Sequence, residues 1–145
     1  MGHIIVTGAG SGLGRALTIG LVERGHQVSM MGRRYQRLQQ QELLLGSAVI
    51  GIVADLAHHE DVDVAFAAAV EWGGLPELVL HCAGTGEFGP VGVYTAEQIR
   101  RVMESNLVST ILVAQQTVRL IGERGGVLAH VLTSAAQVGK ANERL

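Results

Sequence analysis

Short apolar runs alternate with longer stretches of helical periodicity along this chain. The runs fall at His3–Val6, Gln27–Met31, Ala48–Val53, Leu78–Cys82 and Val127–Thr133. Most are rich in Ile, Val and Leu, as strands buried on both faces of a parallel sheet require. The helical patterns fall at Gly12–Arg24, Tyr35–Leu45, His58–Trp72 and Ala96–Ile121. In the first of these, Leu13, Ala16, Leu17, Gly20 and Leu21 recur at helical spacing and predict one apolar stripe. The order β-α-β-α-β-α-β-α-β, joined by right-handed crossovers, predicts a doubly wound α/β fold with helices on both faces and strand order 3-2-1-4-5. No repeat, low-complexity segment or linker interrupts it, so residues 1–145 read as a single domain. The segment expected to be most mobile is Gly84–Tyr94 (GTGEFGPVGVY), where four glycines and Pro90 break any period. It follows the fourth strand, so it either borders a ligand crevice at the carboxyl ends of the strands or simply connects two elements.

Between the first strand and the first helix lies Thr7–Gly14, TGAGSGLG. Glycines there permit close backbone approach, and the free N–H groups of the helix start, at the positive end of its dipole, suit a pyrophosphate. A tight turn built from Gly8, Gly10, Gly12 and Gly14 is the plainer reading. The preceding strand and following helix favour the phosphate cradle.

Composition narrows the function classes. Glycine is abundant, at 20 of 145 residues, and aromatics make up 3%, which suits a turn-rich α/β protein with an aliphatic core. With 11 Lys and Arg against 13 Asp and Glu, the formal charge is −2. The Arg33–Arg34 pair is the largest basic cluster, so a nucleic-acid partner is not expected. The absence of a long apolar run or a signal-like start leads to the expectation of a cytoplasmic protein with no membrane contact. A lone Cys82 permits no intrachain disulfide.

Five motifs then fall in order: TGAGSGLG after the first strand, Asp55 in VADL after the third, HCAG (His81–Gly84) after the fourth, Asn106 in ESNL, and Ser134 in VLTSAAQ after the fifth. Together they resemble the classical short-chain dehydrogenases/reductases over essentially the whole chain, which implies a Rossmann-type sheet and an NAD(P) cofactor. The resemblance implies that Gly8, Ser11, Gly12, Leu13, Gly14, Asp55, Leu56, Cys82, Ala83 and Gly84 bind cofactor, with Asp55 touching the adenine ring. It implies that Asn106 holds a helix kink and an ordered water in a proton relay, and that Ser134 orients the substrate carbonyl oxygen.

Each residue also has a purely structural reading. Asp55 suits a turn or an N-cap, Asn106 a buried polar spot or an exposed position between apolar stripes, and Ser134 a turn cap. His81 and Cys82 replace the two Asn of the commoner family form NNAG, which puts the side-chain bonds of those Asn in question while Ala83 and Gly84 keep the backbone shape. A metal site at His81 and Cys82 is disfavoured because strand neighbours point to opposite faces. His58, His59, Glu60 and Asp61 read as a solvated first helical turn rather than a ligand cluster.

The end of the second strand addresses cofactor choice. An NAD-preferring site places a carboxylate there for the ribose 2′-hydroxyl; this chain has Gly32, then Arg33 and Arg34. Guanidinium groups suit a 2′-phosphate, so NADP(H) is expected over NAD(H). The alternative is a solvated start to the next helix.

The family's acid/base pair, Tyr and Lys in YxxxK, has no counterpart. Tyr35 is followed four residues on by Gln39, and Tyr94 by Gln98. By the family's spacing the Tyr would fall just past Leu145. The expectation is therefore a truncated enzyme, inactive as it stands, whose full form would act on a small carbonyl or alcohol. A non-catalytic nucleotide-binding module or a decayed gene product is the alternative. Truncation would leave the fifth strand as an edge and would expose Leu107, Ile111, Leu112, Val113, Val118 and Leu120. Self-association through the 96–121 helix or that edge is expected.

Overall fold

The structure, a computed structural model, describes residues 2–87, 89–90 and 92–133. Five strands, β1 (His3–Thr7), β2 (Gln27–Gly32), β3 (Val49–Val53), β4 (Leu78–His81) and β5 (Val127–His130), form one sheet in the order β3-β2-β1-β4-β5. Every pairing is parallel; Ile5, for example, is level with Ser29 on one side and Val79 on the other. This is the expected doubly wound Rossmann-type α/β fold and strand order. The strands differ from the apolar runs mainly at their ends. Cys82 and Val131–Thr133 lie beyond β4 and β5, and Ala48 belongs to a 3-10 turn, Gly46–Ala48.

Alternation along the strands creates two cores. Ile4, Val6, Val28, Met30 and Val49 point to one face. There they meet Leu38 of α2 (Tyr35–Leu45) together with Leu21 and Val22 of α1 (Gly12–Glu23). Ile5, Met31 and Val79 point to the other face. They pack on Val62, Ala65, Phe66 and Ala69 of α3 (His59–Gly73) and on Val113. Phe66 is wholly buried, a contribution of about 1.5–3 kcal/mol from its side chain.

The stripe expected on α1 is rotated. Leu13, 53% exposed, and Ala16 face outward, and the buried positions are Gly14 and Thr18. Thr18 can sit inside because its hydroxyl donates to the Gly14 carbonyl at 2.9 Å. The small residues let α1 lie close to the sheet, a choice that hydrophobicity alone does not reveal.

The pattern at 96–121 is not one regular helix. After α4 (Ala96–Met103), residues Glu104–Val108 form a π-helical segment, and α5 (Ser109–Ile121) continues from it. The Ser109 N–H donates to the Glu104 carbonyl, five residues back. The Ser109 and Thr110 hydroxyls reach back to the Ser105 and Asn106 carbonyls at 2.6 and 2.7 Å. Thr95 and Gln98 close a reciprocal capping box at the start of α4. Along α5, Ser109, Val113, Thr117 and Ile121 are buried at four-residue spacing. Val113 is therefore core rather than exposed surface, and Leu112 and Leu120 also pack against that core. Leu107, Ile111 and Val118 are exposed.

At the β3 edge, the Glu42 carboxylate takes the Gly51 N–H at 2.7 Å, joining α2 to the outer strand.

Candidate functional site

Right-handed crossovers bring the carboxyl ends of β1, β2, β3 and β4 to one rim, where the loops diverge and leave a crevice. A cleft of about 480 Å³ opens there. Gly8, Ser11, Gly12, Leu13 and Gly14 after β1 form its floor, Arg33, Arg34, Asp55 and Leu56 border it from the neighbouring ends of β2 and β3, and Cys82, Ala83 and Gly84 form the wall after β4. Of the residues expected to bind a cofactor, all twelve therefore border one cavity. Asn106 lies beside it, on the π-helical segment. Ser134 lies outside the described residues.

Two glycines make the floor possible. Gly8 turns with φ of 65°, and a side chain on it would sit 2.7 Å from the Ala83 nitrogen. A side chain on Gly14 would strike the Gly8 carbonyl. Strand β1, helix α1 and the end of β4 thus meet where only backbone fits. The α1 N-terminus receives no side-chain cap from Ser11 and has no acidic residue in its first turn. Its unclaimed N–H groups and positive dipole end face the cleft. An anionic group of pyrophosphate type fits that donor set.

Ser11 is engaged elsewhere: its hydroxyl accepts from Arg34 Nη2 at 3.1 Å. That bond holds a guanidinium across the mouth of the cleft, next to Arg33 and close to Gly32. None of Gly32, Arg33 and Arg34 carries a carboxylate; the Asp55 carboxylate lies after the neighbouring strand β3.

Asp55 forms the turn that its structural reading expects. It borders the cleft, while its Oδ1 accepts the Ala57 N–H at 3.1 Å and its Oδ2 stands 3.7 Å from His58 Nδ1. Its own N–H donates to Asp61 Oδ2 at 2.9 Å. The N-cap of α3 is His58, not Asp55.

His81 is 2% exposed and takes on the strand-tying work that the missing Asn left in question. Thr7 Oγ1 accepts the N–H groups of Cys82 and Ala83, both at 3.2 Å, so its own proton goes to His81 Nδ1 at 2.8 Å. This assigns the hydrogen to Nε2, which lies 3.4 Å from Ser109 Oγ. Burial, and secondarily the nearby His130, lower the His81 pKa to about 4, so the ring is neutral. The two imidazoles meet edge to face at 5.4 Å. Cys82 points to the opposite face, and burial raises the pKa of its thiol.

Asn106 is exposed, and both ends of its amide are used. Oδ1 accepts the Thr85 N–H at 2.8 Å and Nδ2 donates to the Thr85 carbonyl at 2.7 Å. The side chain therefore acts as a short strand partner for the loop after β4. That loop is tied again by the Glu87–Arg101 ion pair at 3.1 Å and by the Tyr94 hydroxyl, which donates to the Gly89 carbonyl at 2.9 Å.

Ser105 and Ser109 also line the cleft. Neither stood out in the sequence; the signal was Ser109 four residues after Ser105, a spacing at which hydroxyls bond back to carbonyls.

The family profile described as short chain dehydrogenase matches residues 2–144. A crystal structure of a short chain dehydrogenase/reductase family oxidoreductase from Aeromonas hydrophila subsp. hydrophila ATCC 7966 is 93% identical. It superposes with a TM-score of 0.87 over 99% of this chain and 65% of that one. "Oxidoreductase asL5" of Sarocladium schorii is 34% identical over 84% of this chain and 49% of its own length. The "NADPH-dependent pterin aldehyde reductase" of Arabidopsis thaliana is 27% identical over 95% and 59%. This chain thus spans about half the length of these curated relatives.

Proposed function

The chain belongs to the short chain dehydrogenase family, and from that premise we propose that its cleft holds NADP(H), as the cofactor-binding domain of an oxidoreductase acting on a carbonyl or alcohol. The observation that carries this reading is the pairing of an uncapped helix start on the cleft floor with Arg33 and Arg34 at the end of β2, where positions 32–34 carry no carboxylate. A 2′-phosphate would be met by charge-assisted hydrogen bonds, the stronger kind, and Ser11 already holds Arg34 in place. The NADPH dependence in the name of the pterin aldehyde reductase supports the same choice. When bound, the nicotinamide would supply hydride exchange with a carbonyl or alcohol carbon. This chain's residues bind and orient it, with Gly8 to Gly14 at the pyrophosphate, Asp55 at the adenine and Cys82 to Gly84 along the wall.

The same chain has no Tyr followed by Lys at YxxxK spacing. Its two tyrosines serve other ends: the Tyr94 hydroxyl bonds to the loop carbonyls, and the Tyr35 hydroxyl accepts from Gln39 at 3.0 Å. On this reading these residues bind and orient the cofactor, and proton transfer at the carbonyl oxygen, worth about 10²- to 10⁴-fold in rate, is assigned to none of them. Calorimetric titration with NADPH and NADH tests the reading: tighter binding of NADPH is expected, and equal or reversed affinity overturns the assignment.

Self-association belongs to this proposal. Ile99, Met103, Leu107 and Ile111 lie at four-residue spacing and are all more than two-fifths exposed, a continuous apolar stripe suited to a second copy. Among the described residues, no helix is long and apolar enough to cross a membrane.

A further inference from the structure

A buried glutamine stands on the inner side of α2, where the helix otherwise presents Leu38 to the core. Gln41 is 2% exposed, and its Nε2 donates to the Ala9 carbonyl at 2.6 Å. Its Oε1 is buried with no partner among the described residues. A leucine or methionine would fill the same space without leaving an amide oxygen unmatched. What the glutamine gains is control of one peptide. Ala9 is fully buried, and its N–H donates to the Met31 carbonyl at 3.3 Å, so both of its polar groups are held from the β2–α2 side. The Ala9–Gly10 peptide is trans and planar, so its C=O and N–H point in opposite directions. With the carbonyl drawn inward to Gln41, the Gly10 N–H faces outward, and Gly10 lines the cleft. Helix α2 approaches this peptide a second time: a side chain on Gly10 would meet Arg37 Cβ at 3.3 Å.

We propose that Gln41 is a positioning residue that aims the Gly10 N–H into the cleft and so couples α2, whose N-cap is Arg34, to the phosphate-facing loop. The proposal rests on the reading of the cleft as a dinucleotide site and adds to it a residue that does not line the cavity.

The test compares wild type with Gln41→Met for binding of NADPH, ADP and adenosine 2′-monophosphate. ADP carries phosphates for the loop; adenosine 2′-monophosphate carries only the group facing Arg33 and Arg34. In the variant, NADPH and ADP are expected to weaken about tenfold, the scale of one hydrogen bond to a charged group, with adenosine 2′-monophosphate unchanged. Equal loss for all three ligands, or no loss for any, overturns the positioning role. If wild type binds none of them, the dinucleotide reading fails, and amide hydrogen exchange in the free protein decides the rest. Faster exchange of the Ala9 amide, whose N–H is held by the Met31 carbonyl, in Gln41→Met supports the role, and unchanged exchange overturns it. Should Gln41→Met not fold, Gln41→Leu also fills the space without a donor, and the same split between ligands is required of it.

Discussion

The Thr7 hydroxyl donates to the His81 imidazole in a buried bond 2.8 Å long across neighbouring strands, and in that direction the bond requires a neutral His81. An unfolded histidine takes up its proton near pH 6.5, whereas His81 in the fold does so only near pH 4. Between those values the unfolded chain binds more protons, so stability rises with pH. The contribution is complete above pH 6.5 and is lost as pH falls toward 4, a decline of about 3 kcal/mol from this residue. His3, whose pKa burial also lowers, acts in the same direction. Urea unfolding from pH 7 to pH 4 should show this slope, and His81→Asn should flatten it. An identical slope in that variant would remove His81 as its origin.

Replacing Asn106 with Ala breaks both bonds to Thr85. A loss of about 1–2 kcal/mol is expected for a pair of exposed hydrogen bonds, with Asn106→Asp intermediate because it keeps the acceptor. Thermal melts measure the loss. Protection of the Thr85 amide against exchange should fall in the same order.

Gly8→Ala combines a left-handed backbone with a side chain 2.7 Å from Ala83, so a cost of at least about 3 kcal/mol is expected. Gly12→Ala has open space around the added carbon and should cost about 1–2 kcal/mol, from the backbone alone. Similar melting temperatures for the two variants would contradict the contact between the floor and the β4 end.

Arg33→Ala and Arg34→Ala should weaken NADPH by about 10- to 100-fold, the range for losing a hydrogen bond between charged groups, and leave NADH nearly unaffected. Equal losses for both cofactors in titrations would mean that the arginines are solvated helix residues.

Leu107→Glu and Ile111→Glu put charge into the exposed stripe. Sedimentation should show wild type associating and the variants shifted toward monomer. A wild type that stays monomeric at high concentration removes the stripe as an interface.

The sheet order and twelve of the cleft-lining residues were legible in the sequence because parallel strands and glycine turns leave strong local patterns. Gly8, Gly14 and Asp55 sit where strand ends must converge. The π-helical segment was not legible: Ser105, Asn106, Ser109 and Thr110 read as polar interruptions, and only the structure shows that the Ser109 and Thr110 hydroxyls bond back while Asn106 reaches out to Thr85. The rotated face of α1 escaped for a similar reason, since Gly14 and Thr18 are inside for closeness rather than for oiliness. Gln41 and Thr7 owe their roles to partners 32 and 74 residues distant in sequence, which no local window contains.

The carboxylate of Glu42 on the Gly51 N–H makes the two ends of the sheet unequal. A strand approaching β3 must first evict a side chain that the protein supplies from its own helix, whereas β5 has a single neighbour among the described residues. Any strand added to this sheet is therefore favoured at the β5 side, away from the edge that the protein guards with its own side chain.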